Sequence, residues 1–262
     1  MTKIAITGAA GRMGRRIAAR AIESEQFDLV AATESPGHEA LGADVGVLAG
    51  AGTFGVKVAE TLDEAPDVLI DFTTPDSTLG WLDLCGDRGI ALVIGTTGLT
   101  ESQTATVADA AAKVPIVHAG NMSVGVNLLI KLVALVAETL GAEFDIEIAE
   151  THHRFKKDAP SGTAIALARS ICAATGREYG EAVALGRGGH QPRTPGEIGM
   201  HALRVGDTVG EHQVHFGSLG ETITLSHSAH TRDIFADGAL RAAQWLAGKP
   251  AGLYDMCDVL GL

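Results

Sequence analysis

Basic residues and aromatic residues are both scarce in this chain. Twenty Lys and Arg stand against 32 Asp and Glu, a formal charge of −12 over 262 residues. A field of that sign repels polyanions, which argues against nucleic acid or an anionic membrane surface as a partner. Phe, Trp and Tyr make up only 4% of the residues, a poor supply for an aromatic-rich all-β core. The three cysteines, Cys85, Cys172 and Cys257, are odd in number and far apart, with no Cys-x-x-Cys pair to suggest a zinc site or redox dithiol. They read as reduced, buried, cytosolic thiols. From Met1 the chain runs straight into the strand-like Lys3-Ile4-Ala5-Ile6, with no signal segment or Arg/Ser-rich leader, so a cytoplasmic location is expected. The longest apolar stretch, around Leu128 to Val136, is interrupted by Lys131 and reads as too short for a membrane span.

Aliphatic residues and glycine are plentiful: 46% of the chain is hydrophobic and 33 residues are Gly. That is enough apolar material for one large or two modest cores, joined by many tight strand-to-helix turns. Up to about residue 120, short apolar runs (Ile4–Thr7, Leu29–Thr33, Val68–Phe72, Ala91–Gly95, Ile116–His118) alternate with helical stretches around Gly14–Ser24, Ser77–Arg88 and Glu101–Lys113. This is the βαβ pattern of an α/β, Rossmann-like, doubly wound parallel sheet. From about residue 123 the pattern changes. A long apolar helix over Val124–Leu140 leads into Phe144–Ile148, whose strict alternation predicts a half-buried strand with a polar or partnered face. Further alternating runs at Met200–Val205, His212–Phe216 and Glu221–His227 follow a helix at Ser161–Thr175 and a Gly/Pro/Arg-rich loop at Gly186–Gly199. An inserted α+β domain fits, before a last amphipathic helix over Ile234–Leu246.

Directly after the first strand comes Gly8-Ala9-Ala10-Gly11-Arg12-Met13-Gly14, a G-x-x-G-x-x-G variant opening a helix. Small residues let the backbone approach a pyrophosphate, and the helix start offers free N–H groups at the positive end of its dipole. A merely glycine-rich turn is the bland alternative. Against it, Glu34 ends the second strand twenty positions on, where an acid bonds ribose hydroxyls. Two later strand ends, Phe72-Thr73-Thr74-Pro75 and Gly95-Thr96-Thr97-Gly98, open onto the same crevice. The second suits a carboxamide or carboxylate, or is an ordinary turn before a Thr100 helix cap.

In this acidic chain the segment Glu150-Thr151-His152-His153-Arg154-Phe155-Lys156-Lys157-Asp158-Ala159-Pro160-Ser161-Gly162-Thr163-Ala164 collects two histidines and three cations in six positions. Ser161 and Thr163 put hydroxyls beside the free amides of a helix start, a site suited to a carboxylate. A histidine near its neutral pKa can donate a proton during reduction, and Lys156 can neutralise a carboxylate or a developing negative charge. A solvated basic loop capped by Asp158 is the alternative for any one of these residues; the density of complementary groups favours a site. No metal is expected, since adjacent histidines cannot easily share one ion and no zinc-like spacing surrounds them. The other histidines, His212 among them, are read as structural or surface groups.

The segment Glu150 to Ala164 matches the signature of the dihydrodipicolinate (4-hydroxy-tetrahydrodipicolinate) reductase family. The resemblance runs over essentially the whole chain, through Gly8–Gly14, Asp71-Phe72-Thr73, Gly95–Gly98, residues 121–127, Gly210-Glu211-His212 and Phe235–Ala239. It implies a dinucleotide-binding domain over 1–122 plus 233–262, and an inserted domain over 123–232 that binds substrate and builds a homotetramer. It implies His152 as proton donor, with Lys156 as the second catalytic group and a substrate contact. His153, the helix start Ser161-Gly162-Thr163 and Thr97 of the other domain would hold a dicarboxylate substrate, closing on it. Cofactor contacts are implied at Gly8, Gly11, Arg12, Met13, Gly14, Glu34, Phe72, Gly95, Thr96, Thr97, Gly120, Asn121 and Met122. The implied reaction is NAD(P)H-dependent reduction of 4-hydroxy-tetrahydrodipicolinate to tetrahydrodipicolinate with loss of water, in diaminopimelate and lysine biosynthesis. Some relatives carry arginine after the ribose-binding acid, where this chain has Ser35. NADH is therefore expected to serve at least as well as NADPH, although Arg12 can still pair with a 2′-phosphate.

Two rival readings remain. Short-chain dehydrogenases share the glycine spacing but need Tyr-x-x-x-Lys, whereas Val183 follows Tyr179 by four and Asp258 follows Tyr254 by four. A non-catalytic nucleotide sensor is also conceivable on a Rossmann fold, but it has no use for His152, Lys156 and an anion-binding helix start together.

Overall fold

The computed structural model describes residues 1–262. In chain order it begins β1 (Thr2–Thr7), α1 (Arg12–Ile22), β2 (Phe27–Thr33), α2 (Val45–Ala49), β3 (Val58–Ala59), β4 (Val68–Asp71), α3 (Pro75–Arg88), β5 (Ala91–Ile94), α4 (Glu101–Ala110) and β6 (Pro115–His118). It continues α5 (Val124–Leu140), β7 (Asp145–His152), α6 (Gly162–Thr175), α7 (Tyr179–Ala182), β8 (Val183–Leu185), β9 (Ile198–Arg204), β10 (Gly210–Gly217), β11 (Thr222–Ala229), α8 (Asp233–Leu246), β12 (Gly252–Tyr254) and α9 (Met256–Leu260). These elements form two units, Met1–Val124 with Arg232–Gly261, and Gly125–Thr231 with Leu262.

The first unit is built on a seven-stranded sheet in the order β12-β6-β5-β4-β1-β2-β3, with every pairing parallel. Helices cover both faces of a parallel sheet, so its central strands must be apolar on both sides. All residues of β4 and β5 are buried. The strand order reverses between β1 and β4, and that switch point leaves a crevice at the carboxyl edge. Helix starts along this edge are set by local chemistry: Pro75 occupies the first turn of α3, and Thr100 forms a capping box with Gln103 at α4. Helix α8 returns to this unit and buries Ala236, Ala239, Leu240, Ala243 and Leu246 in its core. Gly238 lets it lie close, because a Cβ there would sit 1.8 Å from the Met122 carbonyl oxygen. The Arg16–Asp233 and Arg20–Asp237 pairs between α1 and α8 are partly exposed and add little beside that burial.

The second unit has a mixed sheet, β11-β10-β7-β9-β8, in which β7 runs antiparallel to β10 and parallel to β9. Alternation sorts its faces. Ile146, Ile148, Ile198, Met200, Val214 and Phe216 form one core with Leu129 and Val133 of α5 and with Leu167 and Ile171 of α6. The opposite face is polar: Glu147 meets Arg187, Arg193 and His201, over Gly199, where a Cβ would lie 2.0 Å from its carboxylate.

Two readings of the sequence need correction. The helical stretch over 124–143, with mean hydropathy 1.8, is long and apolar enough by length and composition to cross a membrane, despite Lys131. Its buried Val126, Leu129, Val133 and Ala137 account for that composition in part. Cys85 and Cys172 are buried free thiols, but Cys257 is only half-buried.

Candidate active site

At the carboxyl edge of the first unit's sheet, Gly8 adopts φ +69° and Gly11 caps α1 without any side-chain bond. A Cβ at Gly14 would lie 2.1 Å from the Gly8 carbonyl oxygen, and one at Gly8 would lie 2.8 Å from Thr73 Cγ2. The turn therefore closes only with glycine; the Ala9 and Gly11 amides are taken up by the Thr33 and Gly8 carbonyls, which leaves the amides of the α1 start bare for an anion. The Glu34 carboxylate accepts the Ala10 amide at 3.0 Å and the Ser35 amide at 3.1 Å, which fixes an acceptor beside the loop. A cavity of about 750 Å³ is lined here by Gly8, Gly11, Glu34, Ser35, Phe72 and Trp81, among others. The bare amides, the ribose-matched acid and this volume fit a nicotinamide dinucleotide. Arg12 is exposed at the helix start, while Met13 packs partly against the core.

The remaining expected cofactor residues lie at the ends of β5 and β6, beyond the lining of that cavity. Gly95 accommodates the Phe72 ring, 2.2 Å from where its Cβ would be. Thr96 is buried, its hydroxyl donating to Asp71 at 3.2 Å and accepting the Thr73 amide at 3.0 Å. Asp71 also accepts from Thr73 and Thr78; burial pushes its carboxyl up, against the pull of those hydroxyls. Thr97 is exposed before Gly98 at φ +84°. Gly120 is exposed, the Asn121 side chain accepts the Ser123 amide, and Met122 is buried in the core.

In the second unit the sheet register gathers a cluster of ionisable side chains. Glu150 of β7 pairs with His212 of β10, and His152 pairs with Arg204 of β9, so these side chains share the inner face just past the apolar core. Glu150 is fully buried. Arg204 grips it with two bonds, Nη1 to Oε2 at 2.8 Å and Nη2 to Oε1 at 2.9 Å. The same oxygens accept His152 Nδ1 at 2.5 Å and the Ser161 amide at 3.1 Å. Burial opposes the Glu150 charge, but Arg204 and His152 outweigh it and hold the carboxyl below its usual range. For His152 burial wins: it lowers the imidazole pKa, and Glu150 offsets this only in part. His212, 5.2 Å from the His152 ring in edge contact, is pushed down to about 4 by burial and then by the neighbouring His152 charge.

Ser161 caps α6. Its hydroxyl accepts the Ala164 amide at 3.1 Å and meets His212 Nε2 at 3.1 Å, while Gly162 and Thr163 form the first helical turn. Lys156 pairs with Asp158 at 2.8 Å and keeps a fifth of its side chain exposed. His153 buries an Nδ1 that has no partner. The structure thus brings His152 and Ser161 onto one carboxylate, and holds Lys156 on the loop between them. Sequence reading missed Glu150, Arg204 and His212 as site members. Strand pairing was the signal: once β7, β9 and β10 are aligned, the three fall on one face.

Comparison with known proteins places the chain in one family. The family described as "Dihydrodipicolinate reductase, N-terminus" matches residues 2–122, and "Dihydrodipicolinate reductase, C-terminus" matches residues 125–260. A 4-hydroxy-tetrahydrodipicolinate reductase of Geobacter sulfurreducens is 50% identical over 266 residues, covering 100% of both chains. One from Alkalilimnicola ehrlichii is 50% identical over 265 residues, covering 100% of this chain and 99% of that one. Among solved structures, a dipicolinate-bound dihydrodipicolinate reductase from Paenisporosarcina sp. TG-14 superposes with a TM-score of 0.77 at 27% identity, covering 98% of each chain.

Proposed function

This chain belongs to the dihydrodipicolinate reductase family, and from that premise we propose that it reduces 4-hydroxy-tetrahydrodipicolinate to tetrahydrodipicolinate, with loss of water, in the diaminopimelate route to lysine. It is an NAD(P)H-dependent oxidoreductase. The observation that carries the reading is the Glu150 cluster, which holds an imidazole and an anion-ready helix start on one buried carboxylate within the family's signature segment.

Reduced nicotinamide, when bound, supplies the hydride. Gly8, Gly11 and Gly14 bare the amides that hold its pyrophosphate, with Arg12 and Met13 opening the helix, and Glu34 accepts from the adenosine ribose. Phe72, Gly95, Thr96, Gly120, Asn121 and Met122 complete the cofactor contacts in this proposal. His152 holds its Nδ1 proton toward Glu150 and donates a second proton from Nε2. Lys156 neutralises the substrate's charge and His153 contacts it. The amides of Gly162 and Thr163 receive one carboxylate, with Thr97 as a further contact. The relative with dipicolinate bound supports a pyridine dicarboxylate of this shape as ligand.

Glu34 next to Ser35 favours NADH over NADPH, because a carboxylate suits ribose hydroxyls and repels a 2′-phosphate. We further propose a cytoplasmic homotetramer formed through the second unit, whose strands β9 and β11 leave Leu203 and Ile223 exposed. Sedimentation at micromolar concentration tests the assembly, and a monomer there refutes it. The function itself is tested by NADH oxidation with substrate generated from pyruvate and aspartate semialdehyde. No turnover with correctly folded protein would overturn it.

A further inference from the structure

We infer that Glu150 is a positioning residue for this reduction, a single ionised carboxylate that fixes both the ring of His152 and the amide of Ser161, the cap of α6. The inference rests on the reading of His152 as proton donor and deepens it. Four N–H donors converge on two oxygens: Arg204 Nη1 and His152 Nδ1 on Oε2, and Arg204 Nη2 and the Ser161 amide on Oε1. Only an ionised carboxylate accepts from all four. A side-chain amide or a protonated acid would turn a donor toward one pair.

The consequence for His152 is a fixed tautomer. Its Nδ1 carries the proton in the neutral ring, so Nε2 is the nitrogen that gains and releases the second proton. Gly210 keeps space on that side, since a Cβ there would come within 3.1 Å of Nε2. The same carboxylate that aims the ring also ties down the Ser161 amide, at the helix start proposed to receive a substrate carboxylate. Proton donor and anion site thereby share one anchor.

A buried ion pair is weak grounds for stability, because a well-packed apolar pair of similar volume often serves the fold as well. The competing account is that Glu150 merely neutralises Arg204. A variant set separates the two: Glu150→Gln, the double variant Glu150→Gln/Arg204→Met, His152→Gln, and His152→Gln combined with Glu150→Gln. Each is measured for kcat and KM against pH, NADH affinity and thermal unfolding.

Glu150→Gln should lower kcat about a hundred-fold, the low end of what general acid catalysis contributes, with NADH affinity unchanged and the fall of kcat with pH moved to lower pH. The double variant removes the stranded cation, so thermal stability recovers while kcat stays down by at least about ten-fold. Adding Glu150→Gln to His152→Gln should change kcat by less than about two-fold, since on kcat Glu150 acts through the ring, while loss of its hold on the Ser161 amide shows as a rise in substrate KM. Recovery of wild-type kcat in the double variant, or full multiplication of the two losses, would overturn the proposal. Should the double variant fail to fold, Glu150→Asp carries the test: it keeps the charge beside Arg204 but withdraws the oxygens by one methylene, and wild-type kcat there also overturns it. His152→Gln with near-normal kcat is a different outcome; it removes the proton-donor reading and this inference with it.

Discussion

At the end of β1 the proposed binding surface is made of backbone, and at the end of β7 the proposed catalytic surface is made of side chains. Around Gly8, Gly11 and Gly14 the chain presents the amides of a helix start by having no Cβ, with the Glu34 carboxylate fixed beside them. Around Glu150 it presents ionisable groups, each held by another: Arg204 and His152 on the carboxylate, His212 on the Ser161 hydroxyl. A backbone cradle suits a ligand bound the same way through every turnover, because amides do not titrate. A proton-transferring site needs groups whose charge can change, and those must be buried and partnered if their pKa values are to be set. The two sites should therefore fail differently, one sterically and one through protonation.

The largest effect should come from His152→Gln, which removes the proposed donor and should lower kcat by about a hundred- to ten-thousand-fold with little change in KM. Lys156→Ala should lower kcat and raise KM together, since a cation opposite a carboxylate serves ground state and transition state alike. Neither should weaken NADH binding. Because burial lowers the His152 pKa below its ordinary 6.5, the donor form exists below that lowered value and is lost as pH rises through it. The wild-type kcat/KM profile, which reports the free enzyme, should fall with rising pH on that limb, and His152→Gln should flatten it. A pH profile identical in the variant would remove the assignment.

Gly14→Ala is the steric counterpart. Its Cβ would lie 2.1 Å from a backbone oxygen, which no flexible side chain can relieve, and overpacking of this kind costs about 1–3 kcal/mol. If the strain falls on the loop, NADH affinity should drop about ten- to hundred-fold, with hydrogen-exchange protection of β7, β9 and β10 unchanged. Wild-type NADH affinity would mean the loop is not the cradle.

How much of each site was legible in the sequence follows from this contrast. The glycine spacing, the acid at Glu34 and the Thr100 cap are local signals, so the loop and its helix could be read directly. The same holds for the strict alternation that marks β7 and for the apolar period of α5, which matches its structural bounds at both ends. The Arg204–Glu150 pair spans 54 positions and the Ser161–His212 contact spans 51. Neither has a local signature, and His212 alone looks like any strand histidine. Strands β3 and β12 were missed because two or three residues are too few to show a period. The resemblance marked Glu150 within a motif, yet its job depends on register, which only strand pairing supplies.

Acid stability should separate the two units next. His212 is only 3% exposed, and its pKa falls from the ordinary 6.5 to about 4 in the fold. A histidine held neutral this way leaves the unfolded chain binding more protons between those values, so stability is present above about pH 6.5 and is lost as pH falls toward 4. In the first unit Asp71 has the opposite sign: burial raises its pKa, so its contribution is fullest at low pH and declines as pH rises through the raised value. Hydrogen exchange at pH 5 against pH 7 should therefore show β7, β10 and α6 losing protection while β4 and β5 hold. His212→Asn should reduce that acid sensitivity, and equal loss in both units with His212 intact would contradict the assignment.

The smallest expected effect concerns cofactor choice, and it asks whether a charge can be added to the backbone site without disturbing the cradle. Glu34 lines the cavity with its two oxygens already oriented by the amides of Ala10 and Ser35. That arrangement suits the two hydroxyls of the NADH ribose and sets a negative charge against the 2′-phosphate of NADPH. Ser35 lines the same cavity and brings no cation to offset the repulsion, while Arg12 at the exposed start of α1 is free to approach from the other side. The wild type should therefore bind NADH at least as tightly as NADPH, as read by direct titration with each. Ser35→Arg introduces a guanidinium able to take a phosphate bidentately, and should shift the ratio of the two affinities toward NADPH by up to about ten-fold, or about 1.4 kcal/mol. NADH affinity itself should move little, because the arginine adds nothing the ribose hydroxyls need. A wild-type preference for NADPH of about ten-fold or more would show that Arg12 outweighs Glu34. An unchanged ratio in Ser35→Arg would show that the 2′-position of the ribose lies away from residue 35.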